Sequence, residues 1–225
     1  MFDAIAPRYD VLNHVLSAGI DRRWRARAIR SLRLTGRERV LDVCTGTADL
    51  AIAARAATPG AARVVGVDFA GAMLEIGRDK VASAGLAREV TLVRGDATRI
   101  PAGDSSVDAV TVAFGIRNVE DVPQACREMC RVLRRGGRLA ILEFAIPTMP
   151  VVRTAYLMYF RHILPAIGRL VSRHNAAYGY LPDSVGTFAT PEQLMNTLRS
   201  SGFVDVAAVR MTFGIVFLYT ARRGD

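Results

Sequence analysis

Short apolar runs recur along this chain, separated by stretches of helical periodicity. Val40–Val43, Val64–Val67, Val90–Val93, Val107–Ala113 and Leu139–Phe144 are mostly apolar, the first four rich in β-branched side chains, and are bounded by polar or small residues. Such runs, alternating with helices, predict buried parallel strands in a doubly wound α/β sheet. One helix is expected to start near Asp49, directly after the first strand. Asn118 reads as the N-cap, with Asp121 in the first turn, of a helix running to about Arg134 and stopped by Gly136 and Gly137. Beyond the fifth strand the pattern predicts a helix over Pro191–Ser201 with Gly202 as its stop, then strands near Val204–Val209 and Gly214–Thr220. That closing hairpin is an addition that plain dinucleotide-binding sheets usually lack.

The strand ends carry the chemistry. The first strand runs through Asp42 into Cys44-Thr45-Gly46-Thr47-Ala48-Asp49, and the second delivers Asp68 just past its end. In a doubly wound sheet those ends meet at the crevice where nucleotides bind. A carboxylate there can accept from both vicinal hydroxyls of a ribose. Gly46 is the only glycine of the loop, so the G-x-G-x-x-G pattern that admits a pyrophosphate is missing. Asp42 and Asp49 would repel a diphosphate but attract a sulfonium and an α-ammonium, which favours S-adenosyl-L-methionine over NAD. Asp42 is expected to reach the ammonium directly or through water, with a buried loop-organising role as the alternative. The third run ends in Asp96-Ala97, suited to an adenine amine and ring nitrogen, and the fourth in Ala113.

Two segments fall outside the strand pattern. Residues 1–30 are amphipathic and read as a helical cap. Residues 148–187 form an insertion in which Leu157, Phe160, Leu164, Ile167 and Val171 repeat at helical spacing, with Pro165 dividing the helix. The insertion either packs its apolar stripe on the core or caps the sheet edge and lines a site for a greasy substrate. The 225 residues, 51% hydrophobic, suit a single domain spanning 1–225. There is no signal-peptide pattern and no run of 18 apolar residues, so a cytoplasmic protein is expected. Three cysteines fit reduced thiols; Cys126 and Cys130 read as small core residues rather than half of a metal site, so no metal is expected.

The net charge of +9 is almost all arginine, since Lys80 is the only lysine. The skew fits a coding bias, yet excess cations also favour anionic surfaces, with phospholipid ahead of nucleic acid. Arg22, Arg23, Arg25, Arg27 and Arg30 read as the solvated face of a helix.

Three further motifs resemble the methyltransferase family that C-methylates the quinol ring in menaquinone and ubiquinone biosynthesis. They are Tyr9-Asp10-x-Leu12-Asn13 with Ser17 and Trp24, then Phe114-Gly115-Ile116-Arg117-Asn118-Val119, then Arg131-Val132-Leu133-Arg134-Arg135-Gly136-Gly137 continuing to Leu142-Glu143-Phe144. The chain departs from the family at Leu12, Asp21, Arg134-Arg135 and Ala145, where Met, His, Lys-Pro and Ser are usual. The resemblance implies a class I S-adenosylmethionine-dependent methyltransferase fold: a Rossmann-like sheet of seven strands, the last antiparallel, with a helical cap insertion. DVCTGTADL is similar to the menaquinone branch, which implies 2-demethylmenaquinol as acceptor.

On that reading Asp68 holds the ribose, Gly46 and Thr47 the methionine part, Asp96 and Ala97 the adenine, and Ala113 also borders the cofactor. Arg117 stabilises a phenolate or polarises a water that takes its proton; the alternative is that it only ties loops together. His162 is a candidate base. Tyr9, Asp10 and Asn118 are expected on the substrate side. A prenylated quinol, transient membrane-surface contact and self-association are the partners considered, with no nucleic acid. A different apolar lipid acceptor, a non-catalytic role in a quinone-biosynthesis assembly and an NAD-dependent oxidoreductase remain as alternatives.

Overall fold

Hydrogen bonding joins the apolar runs into one seven-stranded sheet in the computed structural model, which describes residues 17, 19–58, 62–159 and 185–225. The elements are α1 (Asp21–Ser31), β1 (Arg39–Val43), α2 (Asp49–Ala57), β2 (Arg63–Asp68), α3 (Gly71–Ser83), β3 (Val90–Arg94) and β4 (Val107–Ala113). A 3₁₀ turn (Ile116–Asn118) leads to α4 (Val122–Val132) and β5 (Leu133–Phe144). Then come α5 (Pro150–Met158), α6 (Pro191–Ser200), β6 (Phe203–Met211) and β7 (Val216–Arg223). The strand order is β3-β2-β1-β4-β5-β7-β6. β1 to β5 pair in parallel, whereas β7 runs antiparallel to both β5 and β6.

The two-residue period of β1 divides the core. Val40 joins Trp24, Ile29, Leu50, Leu74 and Val81 on the face covered by α1, α2 and α3. Leu41 and Val43 join Met129, Leu194 and Leu198 on the opposite face, under α4 and α6. Burying each such leucine stabilises the fold by roughly 1.5–3 kcal/mol relative to exposure. The same alternation turns Asp42 toward the first face, where Thr111 of β4 stands directly opposite in register.

Two expectations are corrected. Asn118 does not cap a helix: it ends the 3₁₀ turn, and the cap is Asp121, whose carboxylate accepts from Gln124 N at 2.8 Å. Pro123 explains the shift. A helix starting after Asn118 would place this proline in its second turn, where the missing N–H breaks an i→i−4 bond; starting at Val122 puts it in the first turn, where nothing is lost. Nor do Gly136 and Gly137 stop that helix, which ends at Val132. They lie inside β5, where pairing jumps from Val107↔Leu133 to Ala109↔Arg138. A Cβ on Gly137 would stand 2.7 Å from the Arg134 carbonyl, so the bulge needs glycine there.

Candidate functional site

The order of the strands reverses between β1 and β4, and a cavity of about 510 Å³ opens at their C-terminal ends. That is where an open α/β sheet binds ligands, and the size suits a small molecule. Of the candidate cofactor and substrate residues, Gly46, Asp68, Asp96, Ala97, Ala113 and Asn118 line it. So do Phe69, Met73, Glu120 and Asp121, which no motif or strand end in the sequence marks as ligand-facing. Four carboxylates (Asp68, Asp96, Glu120, Asp121) face this space, and among the described residues no Arg, Lys or His side chain does. Such a wall repels a pyrophosphate and suits a ligand carrying a sulfonium and an ammonium, so the residues present fit S-adenosylmethionine.

The loop between β1 and α2 is held in an unusual shape. Cys44, Gly46 and Ala48 have φ of 55°, 56° and 68°. The left-handed region costs a non-glycine residue about 1–2 kcal/mol, so Cys44 and Ala48 must be fixed by their surroundings. Asp68 does part of this: its carboxylate accepts from Gly46 N at 2.8 Å and Ala70 N at 2.9 Å. Gly115 does another part by absence of a side chain, because a Cβ there would overlap Cys44 Cβ.

Asp42 is 1% exposed and lies outside the cavity lining. It accepts from Thr45 Oγ1 and Thr111 Oγ1, both at 2.6 Å, and so organises the loop. Burial pushes its carboxyl from the ordinary 3.8 up to about 6, against the pull of those two hydroxyls and of Arg25. Asp49 likewise lies outside the cavity lining: Lys80 pairs with one oxygen and Arg25 approaches the other at 3.6 Å. The negative charge expected around the crevice is present, supplied by Asp68, Asp96, Glu120 and Asp121 rather than by Asp42 and Asp49. Thr47 is also buried outside the lining, and its hydroxyl accepts from Lys80 Nζ at 3.2 Å. Arg25 leaves the solvated stripe expected for it; at 8% exposure it also pairs with Asp21 at 3.4 Å. Arg22, Arg23, Arg27 and Arg30 are exposed.

Arg117 does not line the cavity. Its side chain is 6% exposed and pairs at 2.6 Å with Glu143, which is fully buried; it also donates to the Phe114 carbonyl at 2.6 Å. Its guanidinium lies 5.6 Å from the Phe144 ring centroid. Phe144 stacks on Phe114 at 4.5 Å, and Trp24 meets both rings edge-on. These contacts tie the β4 loop to β5, the alternative role considered for Arg117, and among the described residues its guanidinium does not line the cavity. Glu143 and Phe144 stand in the third motif, yet no periodicity marks their partners. Tyr156 of α5 is buried near this pair, and burial pushes its phenol well above the usual range. Tyr9, Asp10 and His162 lie outside the described residues. Cys126 and Cys130 pack in the core, while Cys44 borders the cavity.

The model of the ubiE/COQ5 methyltransferase family matches residues 1–223. The chain belongs to that family. It is 47% identical over 224 residues to the ubiquinone/menaquinone biosynthesis C-methyltransferase UbiE of Geobacter sulfurreducens, covering 100% of this chain and 87% of the relative. It is 42% identical over 224 residues to the demethylmenaquinone methyltransferase of Bacteroides fragilis, covering 99% and 91%. Among solved structures, a SAM-dependent methyltransferase of Thermotoga maritima superposes with a TM-score of 0.69 at 18% identity, over 99% of this chain and 97% of the other. The [4+2]-cyclase SpnF does so with 0.72 at 18% identity, over 100% and 94%. Those two likenesses show the fold alone; membership of the ubiE/COQ5 family makes this chain an S-adenosylmethionine-dependent methyltransferase.

Proposed function

We propose that this methyltransferase C-methylates the ring of 2-demethylmenaquinol to give menaquinol. The observation that carries the reading is the carboxylate-walled crevice beside β1 and β4, in a chain 42% identical to a demethylmenaquinone methyltransferase. Bound S-adenosylmethionine supplies the methyl group as an electrophile. The chain's own residues bind and orient. Asp68 accepts from the ribose hydroxyls, Asp96 and the Ala97 N–H meet the adenine edge, and Gly46 borders the methionine part. The exposed Phe69 ring, next to Asp68 on the cavity wall, offers an apolar face to the adenine. Ala113 and Gly115 close the wall at the end of β4 with little bulk. The reacting carbon and methyl must be held near 3–3.5 Å and aligned, so a rigid wall there serves the chemistry. Loss of a hydroxyl proton enriches the ring carbon in electrons; the C–CH3 bond forms as the S–CH3 bond breaks, leaving neutral S-adenosylhomocysteine, and loss of the ring C–H proton to solvent then restores the aromatic quinol. No covalent attachment to the protein is needed.

Among the described residues no helix is long and apolar enough to cross a membrane. A prenylated acceptor stays in the bilayer, so transient contact with a membrane surface belongs to the same proposal, supported by the +9 net charge. The test of the acceptor offers the purified protein reduced demethylmenaquinone and a reduced ubiquinone precursor side by side in detergent. We expect kcat/KM to favour the naphthoquinol ring. Preference for the benzoquinol ring would overturn the acceptor while leaving the reaction class.

A further inference from the structure

We propose that Lys80 and Arg25 are positioning residues for the cofactor loop: they clamp Asp49 from two helices, and Lys80 also holds Thr47, so that the turn keeps its receiving shape. The clamp spans three elements. Lys80 of α3 pairs with Asp49 Oδ1 and donates to Thr47 Oγ1 at 3.2 Å. Arg25 of α1 stands 3.6 Å from the other Asp49 oxygen and 3.4 Å from Asp21, and lies 5.6 Å from the Phe114 ring centroid. One guanidinium thus touches α1, the first residue of α2 and the loop after β4.

Two independent features support this. First, Lys80 is the single lysine among 30 Lys and Arg residues. An ammonium is a compact point charge with rotatable donors, whereas a guanidinium is a longer, planar fork. A chain that uses arginine elsewhere keeps lysine where one short donor must reach both a hydroxyl and a carboxylate. Second, α3 is shaped to approach the loop. Gly77 lies three residues before Lys80 on the same helix face, and a Cβ there would stand 3.3 Å from the Thr47 carbonyl carbon and 3.4 Å from Ala48 Cβ. The clamp has something to resist: Ala48, between Thr47 and Asp49, sits at φ 68°. Without the two cations, the restraints on the loop's Thr47–Asp49 end are lost while Asp68 still holds Gly46.

The inference rests on the crevice being the S-adenosylmethionine site, and its test has one arm without ligand. Lys80→Met, Lys80→Arg and Arg25→Met are compared with the full-length parent, each with and without Ala48→Gly, which accepts positive φ at no steric cost. S-adenosylhomocysteine affinity is measured by calorimetry, and amide hydrogen exchange of residues 44–50 is followed in the ligand-free protein. We expect Lys80→Met to weaken binding about tenfold, with faster exchange in the loop and no change in the KM for quinol. Lys80→Arg, which keeps the charge and the fold, should weaken it less but measurably. Ala48→Gly should restore most of the affinity in each background. Unchanged affinity and exchange in Lys80→Met and Lys80→Arg would overturn the clamp, as would weakened binding that Ala48→Gly does not restore. If the parent itself fails to bind S-adenosylhomocysteine, the cofactor reading falls, and the exchange data alone decide the clamp.

Discussion

Replacing Arg117 by Met tests whether the motif arginine is first a buttress. Glu143 is fully buried and its partner side chain is 6% exposed, so the pair at 2.6 Å is shielded from water on both sides. Glu143 keeps the Phe144 N–H at 2.8 Å and the Arg117 N–H at 3.3 Å, and the Phe114 carbonyl loses its guanidinium donor. Breaking a buried pair from one side costs about 3–5 kcal/mol, because a charge stays behind uncompensated. For a protein of this size 1 kcal/mol moves Tm by roughly 2–4 °C, so a fall on the order of 10 °C is expected. Adding Glu143→Leu removes the stranded charge. The double variant should recover most of the loss, giving a coupling energy of about 2–3 kcal/mol in a mutant cycle read by urea unfolding. Methyl transfer by the double variant then separates the roles: a buttress leaves turnover largely intact once the fold is restored, an activating cation does not. A loss under about 1 kcal/mol for Arg117→Met, or a double variant no more stable than the single, would refute the reasoning.

Other expectations follow from the same geometry. Asp68→Ala removes hydrogen bonds to a charged acceptor and should weaken S-adenosylhomocysteine by about 1.5–3 kcal/mol, or roughly 10- to 150-fold by calorimetry. Gly115→Ala forces a methyl group into Cys44 and should destabilise by about 1–3 kcal/mol in thermal unfolding, with weaker cofactor binding. Asp42 gives a pH signature. Its folded pKa of about 6 lies above the unfolded 3.8, so its contribution is fully present below pH 3.8 and lost as pH rises through 6. The displacement is worth about 3 kcal/mol. Relative to Asp42→Asn, the parent should therefore lose most of that, roughly 2–2.5 kcal/mol, between pH 4 and 7.5 in denaturant titrations.

The sheet was legible because short, continuous apolar runs report strands buried on both faces, and the strand ends at Asp68, Asp96 and Ala113 fell where a doubly wound sheet puts them. The Asn118 cap misled because Asn, Asp and Pro all lie within a few residues, and only the position of Pro123 decides among them. Charge sign around the crevice was legible too, and so were Asp68 and Asp96, but Glu120 and Asp121 were missed and Asp42 and Asp49 were misplaced. Asp42 and Asp49 are adjacent to the loop in sequence, yet Thr111, Arg25 and Lys80 reach them from distant elements. The same holds for Glu143, whose meaning depends on a partner 26 residues away. Such pairings are properties of register and packing, which one sequence does not display.

The most direct measurement of the central claim incubates the purified protein with methyl-labelled S-adenosylmethionine and demethylmenaquinone, chemically reduced in one sample and oxidised in the other. Mass spectrometry of the extracted quinone then locates the label. Labelled menaquinol from the reduced sample alone is the predicted result. An unlabelled ring in both, from protein that binds S-adenosylhomocysteine, would contradict the account and move the activity to another acceptor.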